Sequence, residues 1–397
     1  MTDHSPDKFE IAILCALPRE FDAVRSLLDE DYGDIEPENE SDPNRYIGGK
    51  IGKHEVIASL MADMGKKEAS SHAAHFSRSF LNIGLGLLVG VCAGAPKDQA
   101  KEDILLGDVI ISTAVIQYDY GREYEHGFVR KDTVSDNLPR PNTKIRAFLK
   151  NFETEHTGLE LQQATSKHLE RSYQPNKSEK WGYPGLEKEE DMLFEEGYTH
   201  KHTSADDCAL CKQNPKACEA ATKAEETDCK SLGCDREMLI ERQRLKTIKT
   251  DKIKQPIPML HLGVIASGDH VIKSSSLRRE LIKNEKVIGF EMEGAGVWDT
   301  FPTIVIKGVC DYADSHKNKG WQRYASATAA SCMKAMLEKW SVGRQARGGT
   351  QSSVHTQTQS PSGGAGGQVN HFSGNFHNSG QSFIGSQINS GGGPINL

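Results

Sequence analysis

The sequence has no apolar run of about 18 residues, so a membrane-crossing helix is not expected. It also has no apolar N-terminal stretch of signal-peptide kind. The expectation is a soluble cytoplasmic protein with no membrane span. Basic residues are in deficit: the net charge is −7 and the isoelectric point about 6.1. Charge therefore gives no reason to expect a nucleic-acid-binding face. Hydrophobic residues make up only 37% of the 397 positions, low for a chain that is globular throughout. The shortfall lies in two places, a charged stretch over 159–256 and the end of the chain after Trp340, so the remainder can still bury a core.

What is present reads as alternating strands and helices. Phe9 to Leu17 is an apolar strand, and Pro18 suits the first position of a helix over Arg19 to Leu28. Asp29 to Asn44 reads as an acidic loop. Arg45 to Ile51 and Glu55 to Ala62 form a hairpin pair turning near Gly52-Lys53. A helix follows Met64 and ends near Asn82. Leu85 to Cys92 and Asp108 to Ile116 are buried strands, Glu123 to Pro141 a polar excursion, and Thr143 to Thr154 a helix. Beyond the 159–256 insert, Pro258 to Ile265 resumes the sheet, Ser274 to Lys283 is a helix, and Trp321 to Trp340 closes the domain as a helix.

The chain is organised around Ile288-Gly-Phe-Glu-Met-Glu-Gly-Ala-Gly296 and Pro302-Thr-Ile-Val-Ile-Lys-Gly-Val-Cys-Asp-Tyr-Ala-Asp314. Thr303 to Val309 is β-branched without polar alternation, as in a parallel strand covered on both faces. Ligands collect at the carboxyl ends of such strands, which puts Asp311 and Asp314 at a site mouth. Glu291 and Glu293 precede a Gly/Ala-rich segment where backbones can approach closely. Asp314 and Ser315 also suit the cap of the next helix.

These residues resemble the superfamily of purine nucleoside phosphorylases and methylthioadenosine/adenosylhomocysteine nucleosidases. Three further stretches match in order: Gly263-Val-Ile-Ala-Ser-Gly-Asp-His-Val-Ile272, Leu88-Val-Gly-Val-Cys-Ala-Gly-Ala95 with Leu106-Gly-Asp-Val-Ile110, and Ile11-Ala-Ile-Leu-Cys-Ala-Leu-Pro-Arg-Glu-Phe21. Val115-Ile-Gln-Tyr-Asp-Tyr-Gly121 and Glu190-Asp-Met-Leu-Phe194 resemble the form of this domain at the N-termini of fungal NLR-type immune proteins. The resemblance implies a three-layer αβα fold with a central mixed sheet over residues 1–340.

It also implies roles. Asp311 corresponds to the acid that protonates the leaving purine, and Glu20 to the base that activates water. Glu293 corresponds to the carboxylate that holds the ribose hydroxyls and favours positive charge on the sugar. Glu291 and Met292 are its neighbours at the sugar. Val271 and Ile272 would grip the base edge through their backbones, though the family often has phenylalanine where Val271 stands. Cys92, Ala93 and Gly94 form the small-residue turn. Lys307 replaces an arginine, keeping the charge and losing the fork. Phosphorylases of this kind carry a phosphate-binding arginine where this chain has Leu88, so hydrolysis is favoured over phosphorolysis, with Arg19 as a rival anion site. NLR-linked relatives, including those in antiviral defence systems, resemble enzymes that remove adenine from ATP. Lys66, Lys67, Lys273, Arg278 and Arg279 are candidate cations for such a substrate. A housekeeping nucleosidase and a non-catalytic sensor are the competing readings. The fold usually assembles as a homo-oligomer.

Nine cysteines in a cytosolic chain are expected to be reduced, metal-bound or buried. Cys208-x2-Cys211, Cys218, Cys229 and Cys234, with His200 and His202 before them, make a ligand inventory that suits zinc. Their spacing matches no established pattern, so the insert is read as a surface excursion with reduced thiols, without metal or cofactor. After Trp340, residues 341–370 read as a flexible Gly/Ser/Gln-rich linker. In 371–397, Phe372-Ser-Gly-Asn-Phe-His-Asn-Ser-Gly380 aligns with Phe383-Ile-Gly-Ser-Gln-Ile-Asn-Ser-Gly391. The pair resembles fungal amyloid signalling motifs, and low-complexity disorder is the plainer alternative. The expected partners are a purine nucleoside or nucleotide at the site and an NLR-type receptor at residues 371–397.

Overall fold

The computed structural model describes residues 5–172, 181–185, 190–200, 228–253, 255–317 and 319–341. Backbone contacts divide the chain into Met1–Gly343 and Arg344–Leu397. The second unit, with the paired segments of 371–397, lies outside the described residues, as do Cys208, Cys211 and Cys218.

Strand β1 (Ile11–Cys15) is buried on both faces, as its unbroken apolar run predicts. Ile11, Ile13 and Cys15 enter one core with Ala23 and Val24 of helix α1 (Pro18–Ser26) and Met333 of helix α8 (Gln322–Lys339). Ala12 and Leu14 enter a second core with Phe76 of helix α2 (Lys66–Ser79). Period-two alternation thus feeds two helical layers from one strand. The sheet between them is mixed.

Among the described residues that sheet has nine strands. Around β1 it contains β2 (Glu30–Ile35), β3 (Tyr46–Ile51), β4 (His54–Leu60) and β5 (Leu85–Gly94). It continues with β6 (Val109–Gln117), β9 (Leu260–Ser267), β10 (Val287–Glu291) and β11 (Thr303–Asp311). The order is β10-β9-β6-β11-β5-β1-β4-β3-β2. Strands β4, β1, β5 and β11 run parallel. A further antiparallel pairing of β10 with β5, Phe290 opposite Ala93, closes five strands into a ring. That closure brings the carboxyl end of β10 beside those of β5 and β11. Helix α8 lies against β11 so closely that a Cβ on Gly308 would stand 2.0 Å from the Ala325 carbonyl oxygen.

Two elements were not evident in the sequence. The acidic stretch after Asp29 contains β2, an edge strand whose charges face solvent. The polar excursion contains a separate hairpin, β7 (Gly121–Tyr124) with β8 (Gly127–Arg130). After helix α3 (Thr143–Asn151), helix α4 (Glu155–Ser172) runs well past Leu159, the expected start of the insert, and its Leu161 and Leu169 join the first core.

The insert is fastened to the sheet by buried ions. Asp191, from the Glu190–Phe194 motif, accepts a 2.6 Å bond from Arg242, and both side chains are 2% exposed. Tyr312 Oη donates to the same carboxylate at 2.8 Å. Arg244, on helix α5 (Gln243–Thr250), bonds Asp108 with both terminal guanidinium nitrogens. Asp108 also accepts from the backbone of Leu105 and Met259 and faces His261 at 3.3 Å. Burial opposes ionisation of Asp108, but Arg244 and His261 outweigh it and hold its pKa down to about 2. Replacing Asp108 by alanine would strand Arg244 without its partner. A loss of about 3–5 kcal/mol in urea unfolding is expected. Beyond the insert, helix α6 (Ser275–Glu285) links β9 to β10.

Candidate active site

A cavity of about 610 Å3 opens where the carboxyl ends of β1, β5, β9, β10 and β11 meet. Glu20, Cys92, Ala93, Val271, Ile272, Glu291, Met292, Glu293 and Asp311 all border it. These come from five separate stretches of sequence, gathered by strand order alone.

Glu20 enters from the first turn of α1 and is 2% exposed. Its Oε2 accepts backbone N–H bonds from Ala16 and Leu17, each 2.9 Å, and its Oε1 accepts one from Val91 at 2.7 Å. Two oxygens offer about four acceptor sites, so Oε1 retains a free lone pair. A Cβ on Gly90 would fall 2.3 Å from Oε1, so glycine is what makes room for the carboxylate. Burial pushes the Glu20 pKa above the ordinary 4.5, with Lys307 opposing and Glu293 reinforcing the rise.

Asp311 ends β11, where the register with β5 shifts between Val309 and Asp311. Such a bulge turns a side chain away from the plain alternation. Oδ1 accepts from Ala313 N at 2.9 Å and faces Lys317 Nζ at 3.5 Å, and Cys310 Sγ lies 3.5 Å from Oδ2. Cys92 and Cys310 also border the cavity. Burial pushes both thiols upward, so neither is a ready nucleophile.

Glu293 is 4% exposed. Its Oε2 lies 3.2 Å from Lys307 Nζ, and its Oε1 accepts weakly from Gly65 N at 3.5 Å. Glu291 is differently occupied. Its oxygens accept from Glu293 N at 3.0 Å and Gly294 N at 2.8 and 3.1 Å, at the start of the short helix α7 (Gly294–Val297). Burial raises its pKa. It is better placed to fix the Glu293 backbone than to meet a substrate.

Lys307 and Gly94 were both expected at the substrate, and neither borders the cavity. Lys307 is wholly buried, 3.2 Å from Glu293 and 3.8 Å from Glu291. Burial disfavours its ammonium, but Glu293, Glu20 and Glu291 outweigh that and raise its pKa. Its ammonium meets Glu293 and Glu291 rather than the cavity. Gly94 sits where β5 meets β10, and a Cβ there would stand 2.8 Å from Val309.

The expected cations divide similarly. Lys66 is paired with Asp119 and Asp269, Arg278 of α6 is buried against Tyr312 O and Asp314, and Arg279 pairs with Glu196. Lys273 borders the cavity, and so do Lys317 and Lys319, which sequence reasoning did not single out. Asp228 from the insert and the aromatic side chains of Tyr118 and Phe290 also border it. Tyr118 lies in the Val115–Gly121 motif, and its hydroxyl is held by the His270 carbonyl at 3.1 Å. Asp314 does not cap α8. It accepts from His316 N at 3.0 Å within a turn, and Ser315 Oγ accepts from His200 N at 2.8 Å. Leu88 is fully buried in the second core. Among the described residues no helix is long and apolar enough to cross a membrane.

Three solved structures similar to this chain are nucleoside-processing enzymes. The 5'-methylthioadenosine/S-adenosylhomocysteine nucleosidase of Neisseria meningitidis is 14% identical, covering 83% of this chain and 99% of its own, at a TM-score of 0.46. The futalosine hydrolase of Helicobacter pylori is 15% identical, covering 84% and 99%, at 0.47. The S. pneumoniae 5'-methylthioadenosine/S-adenosylhomocysteine nucleosidase is 15% identical, covering 83% and 99%, at 0.48. A nucleotide-binding leucine-rich repeat (NLR)-like protein of Hyaloscypha variabilis is 32% identical over 339 residues, 84% of this chain. The match spans only 29% of that relative's length. The Phosphorylase superfamily family model matches residues 10–168, the segment that runs from β1 through most of α4 and carries Glu20 and Cys92–Gly94, which form the end of strand β5 rather than the expected turn.

Proposed function

We propose that this chain is a purine N-glycosidase that hydrolyses the bond between base and ribose. The observation that carries the reading is the convergence of Glu20, Glu293 and Asp311 on one cavity from three strand ends. Asp311 gives a proton to the leaving base, which departs neutral. Glu293, paired with Lys307 at 3.2 Å, accepts the sugar hydroxyls and stabilises the positive charge growing on the ribose. Glu20 takes a proton from water on its free Oε1 lone pair as the water oxygen bonds to C1′. One water is consumed, and the products are the free base and the free sugar. Tyr118 and Phe290 provide the flat apolar surface for a purine that Val271 does not.

Water rather than phosphate as nucleophile is supported by Leu88, which offers no anion site from inside the core. The experiment is incubation of the full chain with ATP, AMP, adenosine and methylthioadenosine, with and without phosphate, followed by chromatography. Free base without phosphate is expected. A strict phosphate requirement with a sugar 1-phosphate as product would replace this reading with phosphorolysis, for which Arg19, bonded to the cavity residue Gln322 at 2.5 Å, would be the anion site.

Lys273, Lys317 and Lys319 at the cavity favour nucleotides, ATP among them, over bare nucleosides. The reading extends to a cytoplasmic immune or cell-death effector that works as a homo-oligomer, and of these parts only the NLR link has a relative behind it, the NLR-like protein. Residues 371–397 would then meet a receptor with a similar motif and gather enzyme domains by cross-β stacking. The linker of roughly 30 residues reaches about 30 Å as a random coil, enough to keep the domains folded. A peptide of residues 368–397 that stays unstructured even when seeded would remove this part of the reading.

A further inference from the structure

Four side chains that the proposed chemistry does not use converge beside the cavity. His200, Cys229, Cys234 and His316 each turn one ligand atom inward, and these atoms all lie within 4.8 Å of one another. His316 Nδ1 is 3.6 Å from Cys229 Sγ and 3.8 Å from Cys234 Sγ. With zinc bonds of about 2.3 Å to sulfur and about 2.0–2.1 Å to nitrogen, the edges of a tetrahedron come to roughly 3.4–3.8 Å. The hydrogen bonding around the rings fits as well. His316 Nε2 lies 3.1 Å from the Tyr198 carbonyl oxygen and so carries the proton, which leaves Nδ1 as a lone pair aimed at the two sulfurs. A backbone acceptor on the far ring nitrogen is the usual support of a metal-bound histidine. His200 Nε2 is buried without any hydrogen-bond partner, in a residue 4% exposed. The Cys229–Cys234 loop is closed by a 2.9 Å bond from Cys234 N to Cys229 O, with Gly233 at φ +68°. Phe194 stacks on His316 at 4.0 Å and fixes its ring.

We infer that His200, Cys229, Cys234 and His316 bind one tetrahedral zinc ion, which pins the insert to the turn after Asp311. Asp228, beside Cys229, borders the cavity, and Lys317, beside His316, touches Asp311. The ion would therefore fix two edges of the proposed active site. All four positions are filled by protein, so the site is closed, and the ion's part is structural.

The test is metal analysis of the full chain purified from zinc-supplemented culture. About one zinc per chain is expected, and cobalt exchanged into the site should give the visible absorption of a tetrahedral ion with thiolate ligands. Replacing both Cys229→Ser and Cys234→Ser should abolish binding, whereas Cys208→Ser, Cys211→Ser and Cys218→Ser together should leave it intact. Should the double variant not fold, alkylation of the wild-type chain read by mass spectrometry decides the matter: Cys229 and Cys234 should be protected until a chelator is added. Zinc retained by the double variant and lost by the triple one would overturn the assignment. So would a zinc-free wild-type chain with both thiols open to alkylation or joined as a disulfide.

Discussion

Asp311→Asn is expected to slow base release by about 100- to 10,000-fold, the range a positioned general acid supplies, while leaving the unfolding transition in place. The amide keeps the shape of the carboxyl, and its oxygen can still accept the 2.9 Å bond from Ala313 N. Lys317 loses a counter-charge, but its side chain is 19% exposed and remains in contact with water. The fold should therefore tolerate the change. The chemistry should not, because an amide N–H is far too weak an acid to protonate a departing purine. Turnover assays and thermal melts on the same preparation separate the two effects. Undiminished base release with an unchanged melting curve would exclude Asp311 as the acid.

Glu20→Gln is expected to cause a loss of similar size, and the pH profile identifies its origin. Burial raises the Glu20 pKa above 4.5. A base must be ionised to act, so kcat/KM of the wild type should climb with pH through an acidic limb displaced above 4.5, and the variant should lose that limb. Stability responds in the opposite sense. A raised folded-state pKa contributes stability that is full below the unfolded value and is lost as pH rises through the folded one. The wild type should therefore give up some stability on this account as pH moves from acid toward neutral, and the variant should give up less. Glutamine has one acceptor oxygen for the three backbone N–H groups of Ala16, Leu17 and Val91. A constant penalty of about 1–3 kcal/mol for the unmatched group is expected as well. An acidic limb unchanged in the variant would remove Glu20 from the water-activating role.

The carboxyl ends of the buried strands were legible in sequence because a continuous apolar run needs cover on both faces, and an acid where it stops marks the end at which ligands collect. Asp311 was found that way, whereas Glu20 and Glu293 were singled out by the resemblance of their stretches to the nucleoside phosphorylases and nucleosidases; strand order brings the three together. Lys307 was visible as a residue but not in its place. Nothing local says that its ammonium lies behind Glu293 rather than in the cavity. Lys317 and Lys319 went unnoticed because a lysine in a turn looks like any solvated charge until the turn is seen to fold over Asp311. The four clustered thiol and imidazole side chains show the limit most clearly. His200, Cys229 and Cys234 were visible as possible ligands, but the fourth, His316, lies more than eighty residues beyond Cys229 and Cys234. No spacing pattern within the insert could include it. Strand β2 was missed for a different reason, since Glu30, Asp31 and Asp34 carry the composition of a loop and only its pairing with β3 makes it a strand.

The most direct measurement is the fate of oxygen during base release in phosphate-free, heavy-oxygen water. The proposed chemistry predicts free adenine, and a ribose or ribose phosphate that carries one solvent oxygen at C1′. No base from ATP, AMP, adenosine or methylthioadenosine, or base released only when phosphate is added and with no label in the sugar, would contradict it.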